Sequence, residues 1–288
     1  MLEHPLTEAN LAGAMRLSAS AHWNQCEADW RLMLALGRGW GLSSFDGQLR
    51  ASTVALPYRN AVAGDFAWIS MVLVLPEHRR KGLASRLLQT AIRELKAAGL
   101  LPILDATPAG REVYRLQGFR DTWGFVRYQG RAAGITALSE TTSAPVVIRP
   151  LHADDWSALL ALDAPAFGAN RERLLRALAQ RLPQAAWVAE TRSRLAGFVF
   201  GRDGREAFQL GPLIANDPQT AMQLIAVALD KMDGPVYLDL ADRHQAIRTW
   251  LTRSGFVEQR PFTRMVLSSG PAPGNAGAVV LVAGPELG

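Results

Sequence analysis

The sequence predicts an α/β protein made of two similar halves. Three observations carry this. Strand-like and helix-like stretches alternate along the chain, and both halves present them in one order. Each half also reaches a Gly-Phe pair at the end of a short helical segment, "VYRLQGF" at 113–119 and "TWLTRSGF" at 249–256. Recurrence of a whole set of elements reads as internal duplication. A chain of 288 residues suits two domains of about 100–150 residues each.

The elements follow in order. Residues 9–36 carry apolar side chains at helical spacing (Leu11, Met15, then Trp30, Met33, Leu34), with a break expected near "HWNQ" at 22–25. "GWGLSSFDGQLRASTVALPY" reads as two strands joined by Asp46-Gly47, a strong hairpin signal. "DFAWISMVLVL" (65–75) is a long strand stopped by Pro76. From Leu83 the apolar positions Leu87, Leu88, Ala91, Ile92 and Leu95 mark one helix face, closed by Gly99. "LLPILDAT" (100–107) returns as a strand, "AGREVYRLQGF" is a short helix, and "FRDTWGFVRYQG" supplies one or two closing strands. Residues 133–145 are small, polar and aperiodic and read as a linker between a first domain, 1–132, and a second, 146–288. The second repeats strand, helix, hairpin ("AAWVAETRSRLAGFVFGR"), strand ("EAFQLGPLIA"), helix, strand ("VYLDL"), helix and strand ("FTRMVL"), and adds "AVVLVAG" as a last strand. Aligned on the Gly-Phe pairs, Tyr114 falls opposite Leu251 and Thr107 opposite His244.

Composition narrows the function classes. A net charge of +5 suits an anionic small ligand as well as a solvated surface. The basic residues form no stripe with interleaved aromatics, so a nucleic-acid partner is not expected. The single cysteine, Cys26, excludes a disulfide framework and points to a reducing cytoplasm. "MLEHPLTEANLAG" lacks the features of a signal peptide, and no apolar run approaches ~18 residues, so no membrane partner is expected. The five histidines are scattered and no metal-ligand spacing occurs, so no metal is expected.

The stretch that asks for chemistry is "LPEHRRKGLASRLL" (75–88). Arg79, Arg80 and Lys81 repel one another, and packing alone does not ask for them. Strand, basic glycine turn, helix is a phosphate-binding arrangement: free N–H groups and the helix dipole at the helix start attract an anion, and Gly82 lets the backbone approach it. Neither a P-loop nor a dinucleotide glycine fingerprint is present.

The stretch resembles the GNAT superfamily of N-acetyltransferases. The family's R/Q-x-x-G-x-G/A signature is matched by Arg79, Gly82 and Ala84, its preceding V-x-P by Val74 and Pro76, and its later Y-x-x-x-G-F by Tyr114, Gly118 and Phe119. These motifs cover residues 65–120 directly and 1–130 by element order, and the whole chain looks like a bacterial two-domain subgroup whose second GNAT domain is degenerate. The resemblance implies tandem domains, each a mixed sheet that splays open between its fourth and fifth strands. Acetyl-CoA would lie in the first gap. Its pantetheine would pair with the edge Val72, Leu73, Val74, and its pyrophosphate would rest on Arg79, Arg80, Lys81, Gly82, Leu83, Ala84 and Ser85, with Thr107 completing the cofactor set.

The implied reaction is transfer of acetyl to a small primary amine by direct attack in a ternary complex. Tyr114 matches the family's general acid, which protonates the departing thiolate. The base is open: alternation places Trp68, Ser70, Val72 and Val74 on one strand face with no carboxylate, which favours a water relay, with Asp29 or Asp105 as alternatives. Trp23, Asp29, Trp30, Ser70 and Asp105 are the substrate-binding candidates. In the second half the basic turn is gone, Asp217 stands where phosphate would sit and Leu251 replaces the tyrosine. That half is expected to be catalytically dead, serving to wall the acceptor cleft, bind an effector or form a homodimer. A non-catalytic acyl-CoA sensor and a transferase of another acyl group are the rival functions.

Overall fold

The computed structural model describes residues 1–59, 64–131, 146–192 and 194–288. The first half runs β1 (Leu2–Leu6), α1 (Leu11–Ser20), α2 (Glu27–Leu36), β2 (Arg38–Ser43), β3 (Leu49–Tyr58), β4 (Phe66–Val74), α3 (Leu83–Ala97), β5 (Leu101–Ala106), α4 (Pro108–Leu116) and β6 (Arg120–Arg131). The second runs β7 (Val147–Pro150), α5 (Trp156–Phe167), α6 (Glu172–Arg181), β8 (Trp187–Thr191), β9 (Arg194–Arg202), β10 (Phe208–Ala215), α7 (Pro218–Asp230), β11 (Pro235–Ala241), α8 (Gln245–Arg253), β12 (Val257–Val266) and β13 (Val279–Leu281). The duplicated order holds, and both aligned positions Thr107 and His244 sit at helix N-caps. The linker expected at 133–145 lies outside the described residues.

The thirteen strands among the described residues join one mixed sheet, in the order β1-β2-β3-β4-β5-β12-β6-β11-β13-β10-β9-β8-β7. The halves have exchanged their closing strands. β12, from the second half, lies between β5 and β6, and β6 pairs along its other edge with β11. Closing-strand exchange buries backbone edges that two separate domains would expose, and it makes one body of the two sheets.

Two buried ion pairs sit in these seams. Across the β5–β12 seam, Asp105 stands opposite Arg264 and accepts hydrogen bonds from its Nε and Nη2 at 2.9 and 3.0 Å. Across the β6–β11 seam, Asp239 accepts from Arg127 Nε and Nη2 at 2.8 and 2.7 Å. Arg264 is held between the rings of Trp68 and Trp123, 4.3 and 4.1 Å from their centroids.

The core has three parts. One packs the α3 face of the first half and one the α7–α8 face of the second. The third is shared: Trp30, Phe66 and Trp68 of the first half join Phe167, Phe198 and Phe200 of the second, and α2 contacts α6. Asp29, fully buried on α2, ties the halves together through Arg181 (2.7 Å) and Arg202 (2.9 Å). Among the described residues no helix is long and apolar enough to cross a membrane.

Candidate active site

The first half's sheet opens where the fold requires a free strand edge. β4 pairs in parallel with β5 only from Phe66 to Ile69, while its other edge stays bonded to β3 as far as Val74. The split begins at an irregularity: the β3–β4 register shifts, and Met71 takes a left-handed backbone (φ 51°) with its carbonyl accepting from Ser52 Oγ at 2.8 Å. Such a conformation in a non-glycine residue costs roughly 1–3 kcal/mol and clusters at functional sites. The bulge also breaks strand alternation. Trp68 packs into the shared core, whereas Val72 and Val74 pack on the α3 side. The single face anticipated for Trp68, Ser70, Val72 and Val74 therefore does not exist, because one extra residue inverts the facing of everything after it.

The open edge leads to the basic turn. Arg80 and Gly82 are both left-handed (φ 58° and 75°), which folds the backbone into a concave run of amides. Gly82 is the N-cap of α3, and no side chain caps this helix. A Cβ at Gly82 would meet open space, so the residue serves its backbone angle rather than a close contact. Arg79 Nε donates to the Val74 carbonyl (3.1 Å) and Lys81 Nζ to the Glu77 carbonyl (3.0 Å). Both cations are thus fixed to the loop, and no carboxylate among the described residues neutralises them. A diphosphate fits this cradle by charge and by its amide donors.

A partly open cleft lies beside the split. Ser70, Met71 and Val72 line it from β4, Asp105 and Thr107 from the end of β5, and Tyr114 from α4. Thr107 caps α4 by accepting from Gly110 N at 3.2 Å, which sets the helix start that presents Tyr114. The tyrosine ring packs edge-on to Phe119 with centroids 6.1 Å apart, and burial pushes its phenol up to about 12. Trp23 lines the cleft as well.

Other candidates sit elsewhere. Trp30 is wholly buried in the shared core with Nε1 donating to Ser18 Oγ at 2.9 Å, because α2 turns that face inward. Asp29 does not line the cleft: its carboxylate receives the Cys26 amide (2.9 Å) and the two arginines, which makes it a structural anion. Asp105 does line the cleft, but both its oxygens are taken by Arg264, and burial raises its pKa despite that partner. Cys26 receives a hydrogen bond from Arg181 Nη2 (2.8 Å) outside the cleft lining, and burial pushes its thiol up.

The far wall comes from parts of the chain that motif reading passed over. Arg127 enters from β6, Arg260 and Phe262 from β12, Gln25 from the α1–α2 connection, and Pro285 and Glu286 from the chain's last residues. The last residues are anchored by both halves: Trp68 Nε1 of the first donates to the Pro285 carbonyl (3.1 Å) and Tyr58 Oη to that of Leu287 (2.9 Å), and Arg171 Nη1 of the second donates to that of Gly288 (2.8 Å). Strand exchange brings β12 here, which no local sequence pattern encodes.

The corresponding site of the second half is filled. β10 and β11 are the parallel pair that should splay, and β13 sits between their diverging ends, bonded antiparallel to both. Asp217 caps α7 by accepting from Thr220 N (2.9 Å) and Thr220 Oγ1 (2.7 Å), and Leu251 is fully buried. A carboxylate therefore stands at the helix start where the first half offers cations.

Known proteins share this fold. The acetyltransferase (GNAT) family model matches residues 14–119, and a second acetyltransferase (GNAT) domain model matches 159–279. The uncharacterized N-acetyltransferase YitH of Bacillus subtilis (strain 168) is 24% identical over 252 residues, 87% of this chain and 86% of its own. A putative acetyltransferase from Pyrococcus horikoshii superposes with a TM-score of 0.79 at 17% identity, covering 100% of this chain and 95% of that one. A tandem GNAT protein from the clavulanic acid biosynthesis pathway superposes with a TM-score of 0.67 at 14% identity, over 94% of this chain and 99% of that one. The GNAT family transfers acetyl groups from acetyl-CoA, and with one such domain in each half this chain belongs to it as a tandem GNAT protein.

Proposed function

We propose that the chain is an acetyl-CoA-dependent N-acetyltransferase that acts on a small primary amine by direct attack, with one active site, in the first half. The observation that carries this is the continuity of three features. An unpaired β4 edge beyond Ile69 runs to an uncapped, cationic helix start at one end and to a cleft containing Tyr114 at the other.

The residues divide the work. The edge from Ser70 to Val74 offers backbone groups to the pantetheine amides. Arg79, Arg80, Lys81 and the amides of Gly82, Leu83, Ala84 and Ser85 hold the diphosphate. Bound there, acetyl-CoA supplies an acetyl group activated as a thioester. Tyr114 Oη holds the proton that a departing thiolate needs; its raised pKa keeps that proton in place across the neutral range, and such acid help contributes roughly 10²–10⁴-fold. Thr107 orients Tyr114 through the α4 cap. Trp23 and Phe262 give the cleft apolar walls that limit water. Direct attack is supported by the position of the thiol: Cys26 lies outside the cleft lining and burial disfavours its thiolate.

The test is release of free thiol from acetyl-CoA over a panel of amines, alongside calorimetric binding of CoA. Amine-dependent thiol release supports the reading. Tight CoA binding without turnover of any amine would leave a sensor, and absence of CoA binding would remove the assignment.

A further inference from the structure

Three buried polar atoms around the cleft have no hydrogen-bond partner: Gln25 Oε1, Arg260 Nε and Glu286 Oε2. Unpartnered buried polar atoms are rare in folded proteins and each asks for an explanation. Three of them on one cavity share one explanation if a ligand completes them.

The charges around the cleft show what kind of ligand. Asp105 is neutralised by Arg264 and Arg127 by Asp239, each through two hydrogen bonds. Glu286, 2% exposed, uses Oε1 to accept from Arg202 and leaves Oε2 free. Arg260 alone has no carboxylate partner among the described residues; it lies over the Phe262 ring at 5.2 Å. Cross-strand pairing sets it directly opposite Arg127, and like charges facing each other across a sheet are destabilising. A register shift between Glu258 and Arg260 displaces it further from regular pairing, a device that re-aims side chains beside active sites. Burial and the neighbouring Arg127 both disfavour its charge. The lining thus holds a cation without a carboxylate partner, a free carboxylate oxygen and a free amide oxygen. None of residues 79–85 lines this cleft, so the cofactor's diphosphate is not the anion that Arg260 awaits.

We infer that the acceptor is a zwitterion, a primary amine that also carries a carboxylate or comparable anionic group: Arg260 binds the anion, and Glu286 Oε2 with Gln25 Oε1 receives the ammonium. This rests on the acetyltransferase reading and adds the substrate class and the proton acceptor. One ammonium N–H proton passes to Glu286 Oε2; the carboxylate becomes a carboxylic acid and the amine becomes neutral, the form that attacks an acyl carbon. Among the described residues no other carboxylate lining the cleft is free to do this, because Asp105 is held by Arg264.

The experiment compares matched acceptors on the full chain: α- and ω-amino acids, each beside its carboxamide and its decarboxylated amine. Thiol release gives kcat/KM, and the shift in melting temperature with CoA present gives binding independently of turnover. Acids are expected to exceed their decarboxylated partners by about a hundredfold, the scale set by leaving a buried polar group unpaired. Arg260→Gln should erase that preference while KM for acetyl-CoA stays within twofold. Glu286→Gln, which keeps an oxygen for Arg202, should lower turnover at neutral pH and recover part of it as pH rises and the free amine becomes available. Equal use of acids and decarboxylated amines, or CoA binding with no acid protecting the protein, overturns the inference and leaves the acetyltransferase reading standing. Failure to bind acetyl-CoA at all overturns the reading beneath it.

Discussion

Loss of Arg264 should cost the fold heavily, and its contacts set the scale. Its guanidinium gives both bonds to Asp105, whose side chain is fully buried, and fills the space between the Trp68 and Trp123 rings. Arg264→Met keeps a long apolar stem between the indoles but leaves a buried carboxyl with no partner. Breaking a buried pair in this way costs about 3–5 kcal/mol. The effect carries a pH signature. Burial already holds the Asp105 pKa above its ordinary value with Arg264 present, and removing the cation raises it further. A raised carboxyl pKa contributes stability that is complete below the unfolded value and is lost as pH rises through the folded value. The variant should therefore fall further behind wild type at pH 8 than at pH 5. Replacing both partners, Asp105→Leu with Arg264→Met, should restore most of the loss, since an apolar pair leaves nothing unsatisfied. Urea unfolding followed by tryptophan emission at both pH values measures all four proteins. If Arg264→Met lies within about 1 kcal/mol of wild type at pH 8, or if the double variant is as unstable as the sum of the singles, the β5–β12 seam is not held as described.

Four further outcomes are expected. Tyr114→Phe should lower amine-dependent thiol release by about a hundredfold while CoA binding by calorimetry changes less than twofold; unchanged turnover with a true acceptor removes Tyr114 as the acid. Gly82→Ala should weaken acetyl-CoA binding and destabilise the protein by roughly 1–2 kcal/mol through its left-handed angle alone, since no atom stands in the way of the methyl group. Leu281→Ala, at a fully buried position of β13, should cost about 2–5 kcal/mol in chemical denaturation; a smaller loss would mean that β13 does not fill the second cleft. Burial raises the phenols of both Tyr58 and Tyr114, so above pH ~10 the unfolded chain ionises first and melting temperature should fall more steeply between pH 10 and 12 than between pH 8 and 10.

Much of the first half was legible because its signals are local. The Asp46-Gly47 turn, the apolar face of α3 and the glycine stops at Gly99 and Gly118 each act within a few residues, and each closes the expected element. The cationic turn was legible for the same reason, since Gly82 and its neighbours form the cradle by themselves. Strand partners are another matter. β6 and β12 follow equivalent helices and equivalent Gly-Phe pairs, so nothing in either says which will lie beside β5. The choice is made by long-range complementarity, with Asp105 facing Arg264 and Asp239 facing Arg127, which only the register reveals. The same gap hid half of the cleft: Arg127, Arg260 and Glu286 carry no motif. Alternation along β4 failed at Met71 because a bulge is a tertiary choice, made with the help of Ser52 on the neighbouring strand. α6 was also missed, although its leucines at 174, 175 and 178 have helical spacing.

The fate of the second half follows from the first half's needs. A duplicated transferase could keep two clefts, but here β13 closes one, and its fully buried Leu281 lies between β10 and β11. Beyond β13 the chain passes from the filled second cleft to the open first one, where Pro285, Leu287 and Gly288 are anchored by Trp68, Tyr58 and Arg171. Those anchors fix the backbone on both sides of Glu286, and Arg202 fixes its side chain. For Glu286 to take a proton as inferred above, it needs that degree of restraint, because misplacement by about 1 Å is worth as much as a hundredfold in rate. On the proposed function, the second half need not bind a cofactor to matter for catalysis. By giving up its own cleft it provides a rigid route for the last residues, and by exchanging β12 it places Arg260 on the opposite wall. Two separately folded domains joined by a flexible linker could supply neither group with fixed geometry, which is why the strand exchange and the filled second cleft are best understood as one adaptation.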